Sequence, residues 1–586
     1  MSRVEGRAPL RRRTVMWAIV LLLPVALLGL AEATLRLAGY GHDLEPLFIP
    51  SPQQPAYLQA NPRVVTRFFL DPAQAPSVSI ETAYFRAQKA PGTFRVFVQG
   101  ESSAAGFPYG LGAAVAGALD QRFERAFPSR EVEVISTALS AVNSYALLDF
   151  ADEIIAQQPD AVLVYVGHNE YLGILGVGST LRIAASQLLT RAFLAARELR
   201  LFQLMARLLG RGASPPVDGD PVVGDTLMER VAGERSIPLD STIYRAGLGQ
   251  FDANLRRLLA KYRAAGIPVF VGTLVSNERD QVPLAVLSGA EADSAGAAKT
   301  AYLAAQDTEA AGNYEAAREG YAWARDLDPL RFRAPSQFNA TIAAAAEAND
   351  ATLVDVHEGF KQASEHGLIG NQLLLEHVHP NLDGYFLLAD AFFDALVARG
   401  IPGQPEVEVT EADARADLPV SEVDRLFGEY KVQRIKSGWP FAPTWTAPQL
   451  PPAASEAERL AQDLYFERIS WPEAQDQLRR HYQATGDRIG YARVTTILAD
   501  AFPFAGQLQF QSAAALIQLE RPADALRYSR RAVDLEPRSI DALLVHAHGL
   551  LLTRRIAEGR QQLERVLEIE PGNATAREVL SQLGEG

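Results

Sequence analysis

Short apolar runs alternate with amphipathic segments over residues 94 to 399, and this alternation constrains the fold more than any other feature of the chain. The runs are rich in β-branched and aromatic residues, and the segments between them have helical spacing. Such an alternation predicts a parallel sheet covered by helices on both faces. The predicted strands are 94-FRVFV-98, 132-VEVIS-136, 161-AVLVYV-166, 267-IPVFVG-272 and 352-TLVDV-356, and the predicted helices lie near 112–127, 144–157, 247–265, 336–349 and 383–399.

The composition limits what a chain with this sheet can do. At 586 residues it is too long for a single core, so we expect several structural units. A formal net charge of -14 argues against a nucleic-acid partner, which selects for a basic surface. The chain has no cysteine, which excludes disulfides, thiolate metal sites and a cysteine nucleophile.

The N-terminus carries a membrane signal. Residues 1–13 hold five arginines and one glutamate, and 14–31 are almost wholly apolar. This pattern predicts a cytoplasmic basic tail followed by a single transmembrane anchor, with the remaining chain outside the cytoplasm, in the periplasm. The small-x-small sequence Ala31-Glu32-Ala33 leaves a cleaved signal peptide open, in which case the protein is secreted. Residues 32–90, rich in proline, are expected to form a stalk or lead-in.

Two stretches interrupt the alternation and are expected to be helical insertions, at 174–240 and 287–335. The first contains a basic amphipathic run, 181–211, whose apolar face could cover a cleft, meet a partner, lie on a membrane or pack on its own domain. The second, around 296–329, is expected to form a helix pair ending in a proline.

The C-terminal region shows a repeat. The endings 531-RAVDLEP-537 and 565-RVLEIEP-571 place their prolines 34 residues apart. Small residues recur at fixed distances before these prolines and before Pro329, namely Ala317, Ala525 and Gly559, and Ala305, Ala513 and Ala547. The pattern resembles tetratricopeptide repeats, which implies stacked helices over 454–586 behind a linker at 401–453. Either protein-partner binding or buttressing of the neighbouring domain would fit these repeats.

Candidate catalytic residues follow three of the predicted elements. Ser102 lies in 100-GESS-103 after the first strand, Asn169 lies in 167-GHNE-170 after the third, and Glu376 and His379 precede the last helix. Taken alone, the serine stretch supports only a turn. A serine attacks a carbonyl when a histidine takes its proton and a carboxylate orients that histidine, and the oxyanion then needs aimed donors.

Together with 136-STALSA-141, which follows the second predicted strand, these stretches resemble, in order, the four blocks of the SGNH or GDSL-type serine hydrolases. The resemblance implies a flavodoxin-like three-layer α/β fold over 91–400, with Ser102 as nucleophile, His379 as base and Glu376 as its orienting acid. It also implies an oxyanion hole made by the N–H groups of Ser102 and Ala141 and the side chain of Asn169. The chain departs from the family pattern by alanine at position 141, where glycine is usual, and by glutamate at Glu101, Glu170 and Glu376 in place of aspartate.

Two other histidines, His377 and His168, adjoin the candidate site residues. His377 adjoins Glu376 too closely for the acid-x-x-histidine turn and is expected to pack or to face solvent. His168 is expected either to contact substrate or to shape its loop. A metal site built from Glu376, His377 and His379 is disfavoured by their spacing, so we expect neither metal nor cofactor.

Two functions remain open at this point. The first is a membrane-anchored extracytoplasmic serine esterase that removes or transfers acyl groups on carbohydrate or lipid. The second is a tethered scaffold whose repeats recruit partners for envelope or polysaccharide handling, with a weak or inactive hydrolase domain.

Overall fold

The computed structural model describes residues 10–183, 186–209, 227–288 and 292–584. Most of the basic tail, at 1–9, and parts of both expected insertions, at 184–185, 210–226 and 289–291, lie outside the described residues. Two compact units divide the chain. The anchor unit is Met1–Pro46, Arg63–Ser77 and Ile183–Asp218, and the main unit is Leu47–Pro62, Val78–Arg182 and Gly219–Gly586.

The secondary structure follows the expected alternation. The strands are β1 Phe48–Pro50, β2 Tyr57–Ala60, β3 Tyr84–Arg86, β4 Phe94–Gly100, β5 Val132–Ser136, β6 Ala161–Tyr165, β7 Val269–Gly272 and β8 Thr352–Val354. The first helices are α1 Leu10–Leu37, α2 Val115–Ala126, α3 Ser144–Ala156, α4 Gln187–Ala196, α5 Arg200–Leu208, α6 Leu227–Val231, α7 Thr242–Ala264, α8 Leu284–Leu287, α9 Ala292–Ala310, α10 Tyr314–Leu327, α11 Ser336–Ala348, α12 Val356–Ala363 and α13 Leu382–Ala398. The remaining helices are α14 Glu411–Ala416, α15 Glu422–Lys436, α16 Glu456–Tyr465, α17 Trp471–Thr485, α18 Arg488–Ala501, α19 Gly506–Gln518, α20 Pro522–Leu535, α21 Ile540–Leu552, α22 Ile556–Ile569 and α23 Ala574–Gly584.

A parallel five-stranded sheet in the order β5-β4-β6-β7-β8 is the centre of the main unit. Helices α2, α12 and α13 pack together on one side, and α3, α7 and α11 pack together on the other. The buried strands β6 and β7 are apolar and β4 is mostly so, with Arg95 and Gln99 as its polar residues, because both faces of these strands are covered. The prediction of a three-layer α/β fold is confirmed.

The order of this sheet decides where a site can form. The chain starts in the middle, at β4, moves to β5 at one edge and then returns past β4 to β6. The neighbouring strands β4 and β6 therefore have their following loops directed apart, which opens a crevice at the carboxyl ends of the strands. The loop with Ser102 follows β4, and the loop with Asn169 follows β6.

The expected stalk at 32–90 is more ordered than its composition suggested. Strands β1, β2 and β3 form a small antiparallel sheet within it. Phe48, Phe85 and Phe97 pack there in edge-to-face and tilted arrangements with ring centroids 5.2 to 5.7 Å apart, so part of the lead-in packs on β4. Short-range periodicity could not reveal this packing, because β1 and β3 have only three residues each.

The expected helix pair within 287–335 is α9 and α10. Their contact is made by Tyr302, Ala305, Ala317 and Tyr321, all buried. The side chain of Ala305 would also lie 2.9 Å from a Cβ added at Gly320, so small residues let the two helices approach closely.

The C-terminal region is a stack of helices in which each contacts the next along the chain, from α15 to α23. The small residues of the repeat pattern lie at these contacts, with Ala513 and Ala525 fully buried and Ala547 nearly so. This arrangement is typical of helical repeats, whose faces are buried only by neighbouring helices.

The expected linker at 401–453 belongs largely to that stack. It contains α14 and α15, and Val423, Leu426 and Tyr430 of α15 are part of one core cluster with Leu460 of α16 and Leu478 of α17. The proline-rich stretch near 445–453 predicted a linker for this segment. The apolar residues of α15 are buried only by the helices that follow, so α15 could not be recognised as part of the stack from its own sequence.

Candidate active site

Ser102 lies at the start of a tight turn after β4. Gly100 pairs with Tyr165 in the sheet, and a Cβ added at Gly100 would lie 2.5 Å from the Tyr165 carbonyl oxygen. The N–H groups of Ala104 and Ala105 both donate to the carbonyl of Glu101 at 3.0 Å, which closes the turn. The glycine of the Gly-Glu-Ser block is therefore required by close approach to the neighbouring strand, and the turn presents Ser102 at the strand end.

The structure brings Ser102, His379 and Glu376 into contact. Ser102 Oγ lies 2.7 Å from His379 Nε2. The other ring nitrogen of His379, Nδ1, contacts Glu376 Oε1, and the backbone N–H of His379 donates to the same oxygen at 3.2 Å. A serine, a histidine and a carboxylate in this chain of hydrogen bonds have the geometry of a nucleophile, its base and the group that fixes the base.

Glu376 is shared between two histidines. His377 Nδ1 contacts the second oxygen, Oε2, while Oε1 contacts His379. Burial alone would raise the pKa of Glu376, but the two imidazoles hold that pKa well below its usual range. The carboxylate is therefore ionised, and its two oxygens fix two rings at once.

His377 is buried and packed, which is the first of the two alternatives expected for it. Its ring packs near Phe332 and Phe441, with centroids 6.2 and 5.5 Å away. Burial lowers the pKa of His377, so the ring stays neutral and donates its Nδ1 proton to Glu376. Packing of His377 on Phe441 could not be predicted from the sequence, because Phe441 lies in the segment expected to be a linker.

Glu376, His377 and His379 also hold three potential metal-ligand atoms within 4.8 Å of one another. Both Nδ1 atoms are directed at the oxygens of Glu376 itself, and Nε2 of His379 contacts Ser102. The donor atoms thus satisfy one another, and this pattern suits a hydrogen-bonded acid and base more than converging metal ligands.

Two loops converge beside Ser102. The N–H of Leu139 donates to the Gly100 carbonyl at 3.1 Å, which ties the loop after β5 to the end of β4. A Cβ added at Gly173 would lie 2.6 Å from the Asn169 carbonyl and 2.7 Å from the Ala141 carbonyl. Ala141 and Asn169 are therefore neighbours across Gly173.

Ala141 adopts a backbone conformation that suits glycine. Its φ is +62°, in the left-handed region, where an L-residue is strained by about 1–2 kcal/mol. Its carbonyl accepts from the N–H of Ile174 at 2.7 Å, which holds the loop in place. Alanine at position 141 therefore adopts the backbone conformation that glycine would adopt there, and it does so under strain.

The three candidate oxyanion donors have no acceptor within the described part of the chain. These donors are the N–H groups of Ser102 and Ala141 and the side-chain amide of Asn169, for which no hydrogen bond is formed there. These donors are not used by other groups of the described chain, as a role toward a developing oxyanion requires.

Glu101 is a further functional residue whose role the sequence did not reveal. Its carboxylate is buried and accepts the backbone N–H groups of Gly167, His168 and Asn169 at 3.1, 2.9 and 3.1 Å. Burial raises the pKa of Glu101 to about 8, against these three donors, which favour the ionised form. Glu101 thereby connects the loop of Asn169 to the turn of Ser102. In the sequence, only its position next to Ser102 could have indicated this role.

Glu170, the other glutamate in a usual aspartate position, acts on the helix side of the same loop. It accepts from the N–H and hydroxyl of Ser144 at 3.1 and 2.9 Å and from Gln250 at 2.6 Å. It thus ties the loop after β6 to α3 and α7 and does not touch Ser102 or His379.

His168 shapes its loop, the second of the roles considered for it. The side chain is buried, its Nδ1 accepts the Ala334 N–H at 3.2 Å, and burial lowers the pKa of His168 to about 3. The ring is therefore neutral and held against the chain after α10.

Phe107 forms one wall beside the base. Its ring centroid lies 4.6 Å from that of His379, and Lys431 Nζ lies 4.8 Å from the centroid of Phe107. Tyr385 donates its hydroxyl to the Phe107 carbonyl at 2.6 Å, which fixes the loop to α13. Helix α15, which carries Lys431, therefore contributes to the surroundings of the base.

Known proteins provide a comparison for this arrangement. No protein-family model and no curated protein sequence matches the chain. Solved structures of esterases are similar to about half of it. An acetyl xylan esterase, AlAXEase, is matched over 52% of this chain and 100% of its own, with 12% identity and a TM-score of 0.28. A lipase/acylhydrolase from Enterococcus faecalis is matched over 54% of this chain and 100% of its own, with 11% identity and a TM-score of 0.28.

A second group of similar structures contains helical repeats. The first tetratricopeptide domain of human RPAP3 is matched over 19% of this chain and 87% of its own, with 24% identity and a TM-score of 0.18. All of these scores are low, so we interpret the site from the contacts of this chain's own residues.

Proposed function

We propose that the protein is a membrane-anchored, extracytoplasmic serine esterase or acyl transferase. The observation that carries this proposal is the 2.7 Å contact between Ser102 Oγ and His379 Nε2, with Glu376 on the opposite ring nitrogen. Neutral His379 can take the hydroxyl proton only through Nε2, and Glu376 fixes the tautomer that leaves Nε2 free to accept it.

The first half of the proposed reaction forms an acyl-enzyme. Ser102 Oγ attacks the carbonyl carbon of an ester while its proton passes to His379 Nε2. The carbonyl oxygen becomes an oxyanion, which the N–H groups of Ser102 and Ala141 and the amide of Asn169 stabilise. His379 then returns the proton to the alcohol oxygen as the ester C–O bond breaks, so the alcohol leaves and the acyl group stays on Ser102.

The second half releases the acyl group. A water molecule or a sugar hydroxyl gives its proton to His379 and attacks the acyl carbon, and the resulting oxyanion is held by the same donors. Collapse of this intermediate breaks the bond to Ser102 Oγ, which recovers its proton from His379. Water yields a free acid, and a sugar hydroxyl yields a new ester.

The proposed location rests on α1. The segment Met16–Leu37 is long and apolar enough to cross a membrane, and none of its most apolar window is buried within the protein. The arginine-rich sequence before it favours a cytoplasmic N-terminus, so the main unit would be exported. Esters of acylated carbohydrate or lipid are the proposed substrates.

A tethered scaffold is the second candidate function, and the strained Ala141 is the observation that favours it. A loop that keeps its course only under strain could have lost its catalytic purpose. In that case the repeats would carry the activity by binding a protein partner, and the α/β domain would serve as their support.

Covalent labelling of the nucleophile tests the two functions against each other. Full-length protein in detergent is treated with a fluorophosphonate probe, and turnover of p-nitrophenyl acetate and butyrate is measured in parallel. We expect labelling of the wild type and none of Ser102→Ala. Ser103→Ala is the matched control, because Ser103 is buried beside the nucleophile and donates to the Val378 carbonyl without touching His379.

Asn169→Ala completes this experiment. It should still be labelled but should lose about 10²- to 10³-fold in turnover, the usual effect of removing one oxyanion donor. A wild type that neither labels nor turns over ester, while remaining folded by circular dichroism, would remove the esterase proposal and leave the scaffold.

A further inference from the structure

Helices α4 and α5 of the anchor unit have an inverted distribution of polarity. In a water-soluble amphipathic helix the apolar residues are buried and the polar residues are exposed. Here Thr190 of α4 and Arg200 and Gln203 of α5 are buried, beside the apolar Phe193 and Ala206. Leu188 and Leu208 are each 76% exposed.

The exposed apolar residues form one continuous stripe along each helix. In α4 and the turn that follows it, Leu188, Ala192, Ala195 and Leu199 follow helical spacing, and all four are exposed. In α5, Met205, Leu208 and Leu209 are more than half exposed. A stripe of this kind on two consecutive helices is an extended apolar surface, which we call the hairpin face.

The end of α1 fixes the position of this hairpin. The Glu32 carboxylate accepts the backbone N–H groups of Arg200 and Leu201 at 3.0 and 2.8 Å. These are the first two residues of α5, whose N–H groups have no partner within the helix, so Glu32 caps it and its charge favours the positive end of the helix dipole.

Further contacts hold the same arrangement. The Arg36 guanidinium donates to the Glu198 carbonyl at 3.0 Å. The N–H of His42 donates to Gln203 Oε1, and Gln203 Nε2 donates to the His42 carbonyl, both at 3.0 Å. The buried side chains of Arg200 and Gln203 thus bind the segment that follows α1, at Asp43 and His42 respectively.

This attachment places α5 at the level where α1 leaves the apolar layer. Glu32 is the first charged residue after the apolar run 14–31. A helix rises about 1.5 Å per residue, so about 20 residues cross the hydrocarbon core, and Glu32 then lies at its boundary. Leu37, at the end of α1, is 91% exposed, so α1 itself also carries an exposed apolar residue beyond Glu32.

We propose that the hairpin face lies in the interfacial layer of the same bilayer that α1 crosses. A lipid surface suits it because the exposed leucines and Met205 would enter the acyl boundary, while exposed Arg207 could meet anionic headgroups. This proposal rests on the proposed function in one respect, the retention of α1 as an anchor. The hairpin is then a second membrane contact, which limits tilting of the anchor unit on the membrane.

The same contacts bear on the alternative of a cleaved leader. The small-x-small sequence Ala31-Glu32-Ala33 contains the residue that caps α5. Cleavage after Ala33 would remove Glu32 and leave two N–H groups of α5 without their acceptor. The protein as folded therefore uses a residue that signal-peptide cleavage would discard.

Single-cysteine labelling tests the proposal on the full chain, since the protein has no cysteine of its own. Leu188→Cys and Leu208→Cys are labelled with an environment-sensitive nitrobenzoxadiazole dye in nanodiscs of phosphatidylcholine and phosphatidylglycerol. Ile489→Cys in α18 is the matched control, because Ile489 is 72% exposed and also apolar. We expect blue-shifted emission, quenching by doxyl-labelled lipid and severalfold slower reduction by dithionite at 188 and 208, and none of these at 489.

A fourth label, at Val25→Cys in α1, separates failure of the anchor from failure of the hairpin. Quenching at 25 without quenching at 188 and 208 would overturn the hairpin proposal and leave the anchor. Absence of quenching at all three, or a mature chain that begins at residue 34 by mass spectrometry, would overturn the anchor and the hairpin together.

Glu32→Ala tests the positioning itself. It should speed dithionite reduction at position 208 severalfold while leaving position 25 protected, and Glu32→Gln should have a smaller effect because its amide oxygen still accepts one N–H. Equal protection at 208 in wild type and Glu32→Ala would show that Glu32 does not place the hairpin.

Discussion

The α/β domain and the C-terminal helical stack organise their contacts in opposite ways. In the α/β domain, Ser102 and His379 are 277 positions apart in sequence and meet at the carboxyl ends of the strands. In the stack, contacts form between successive helices, as between Ser529 of α20 and His546 of α21, which are 17 positions apart. Long-range contacts create a site in the first region, and local contacts create a surface and support in the second.

The two regions meet at a buried cluster of charges. Arg527 and Arg531 of α20 contact Glu124 of α2, and Arg527 lies 3.3 Å from Asp500 of α18. Gln121 of α2 donates to Asp500 at 2.6 Å. The stack is therefore fixed to the α/β domain, as expected of a buttress. Since this cluster shares no residue with the candidate active site, substitutions can separate chemistry from stability.

The largest effect is expected from Glu376→Gln. An amide cannot hold both ring N–H groups and fix the tautomer of His379, so kcat should fall by up to about 10⁴, as when the orienting carboxylate of a serine triad becomes an amide. Ester turnover of purified protein measures this. Glu365→Gln, at an exposed acid of the preceding turn, should leave kcat unchanged. Wild-type kcat in Glu376→Gln would remove Glu376 from the mechanism.

Arg531→Ala should alter stability without altering chemistry. It leaves the buried Glu124 carboxylate with Arg527 as its remaining partner, so the destabilisation should be smaller than the ~3–5 kcal/mol that follows when a buried charge loses its only partner. The midpoint of denaturant unfolding should fall, while kcat below the transition stays at the wild-type value. Arg538→Ala, at an exposed arginine, is the control. A changed kcat with an unchanged midpoint would contradict the separation of the two regions.

A smaller effect is expected from pH on the same cluster. Four carboxyl groups, Asp120, Glu124, Glu131 and Asp500, surround two guanidinium groups there. Burial raises the pKa of Asp500 to about 7, with Asp120 adding to the increase and Arg531 opposing it, and burial raises the pKa of Asp120 to about 6.

The direction of the pH effect follows from these shifts. The folded protein keeps protons that the unfolded chain releases near its ordinary carboxyl pKa, so the contribution to stability is fully present in acid and is lost as pH rises through about 7. Melting temperature should therefore fall from about pH 4 to about pH 7, and Asp500→Asn should flatten that slope. An equally steep slope in Asp500→Asn would assign the dependence to other groups.

The candidate site residues were predicted from their places after predicted elements together with the family resemblance, and the structure added the groups that support them. Ser102, Asn169, Glu376 and His379 could be named because each lies at a predicted strand end or helix start. Glu101, His377 and Phe107 acquired their places only through folding, since each contacts groups far away in sequence or in segments without a regular pattern. Hydrogen bonds to buried carboxylates leave no periodicity in sequence.

By itself, the sequence determined the parallel sheet, the repeat region and the apolar N-terminal helix, because strand alternation, helix repeats and apolar length are properties of neighbouring residues. The tertiary structure decided that the expected linker is a helix of the stack, that Glu376 holds two histidines, and that α4 and α5 expose their apolar side. Burial depends on which distant segments supply a partner, and only the folded chain defines those segments.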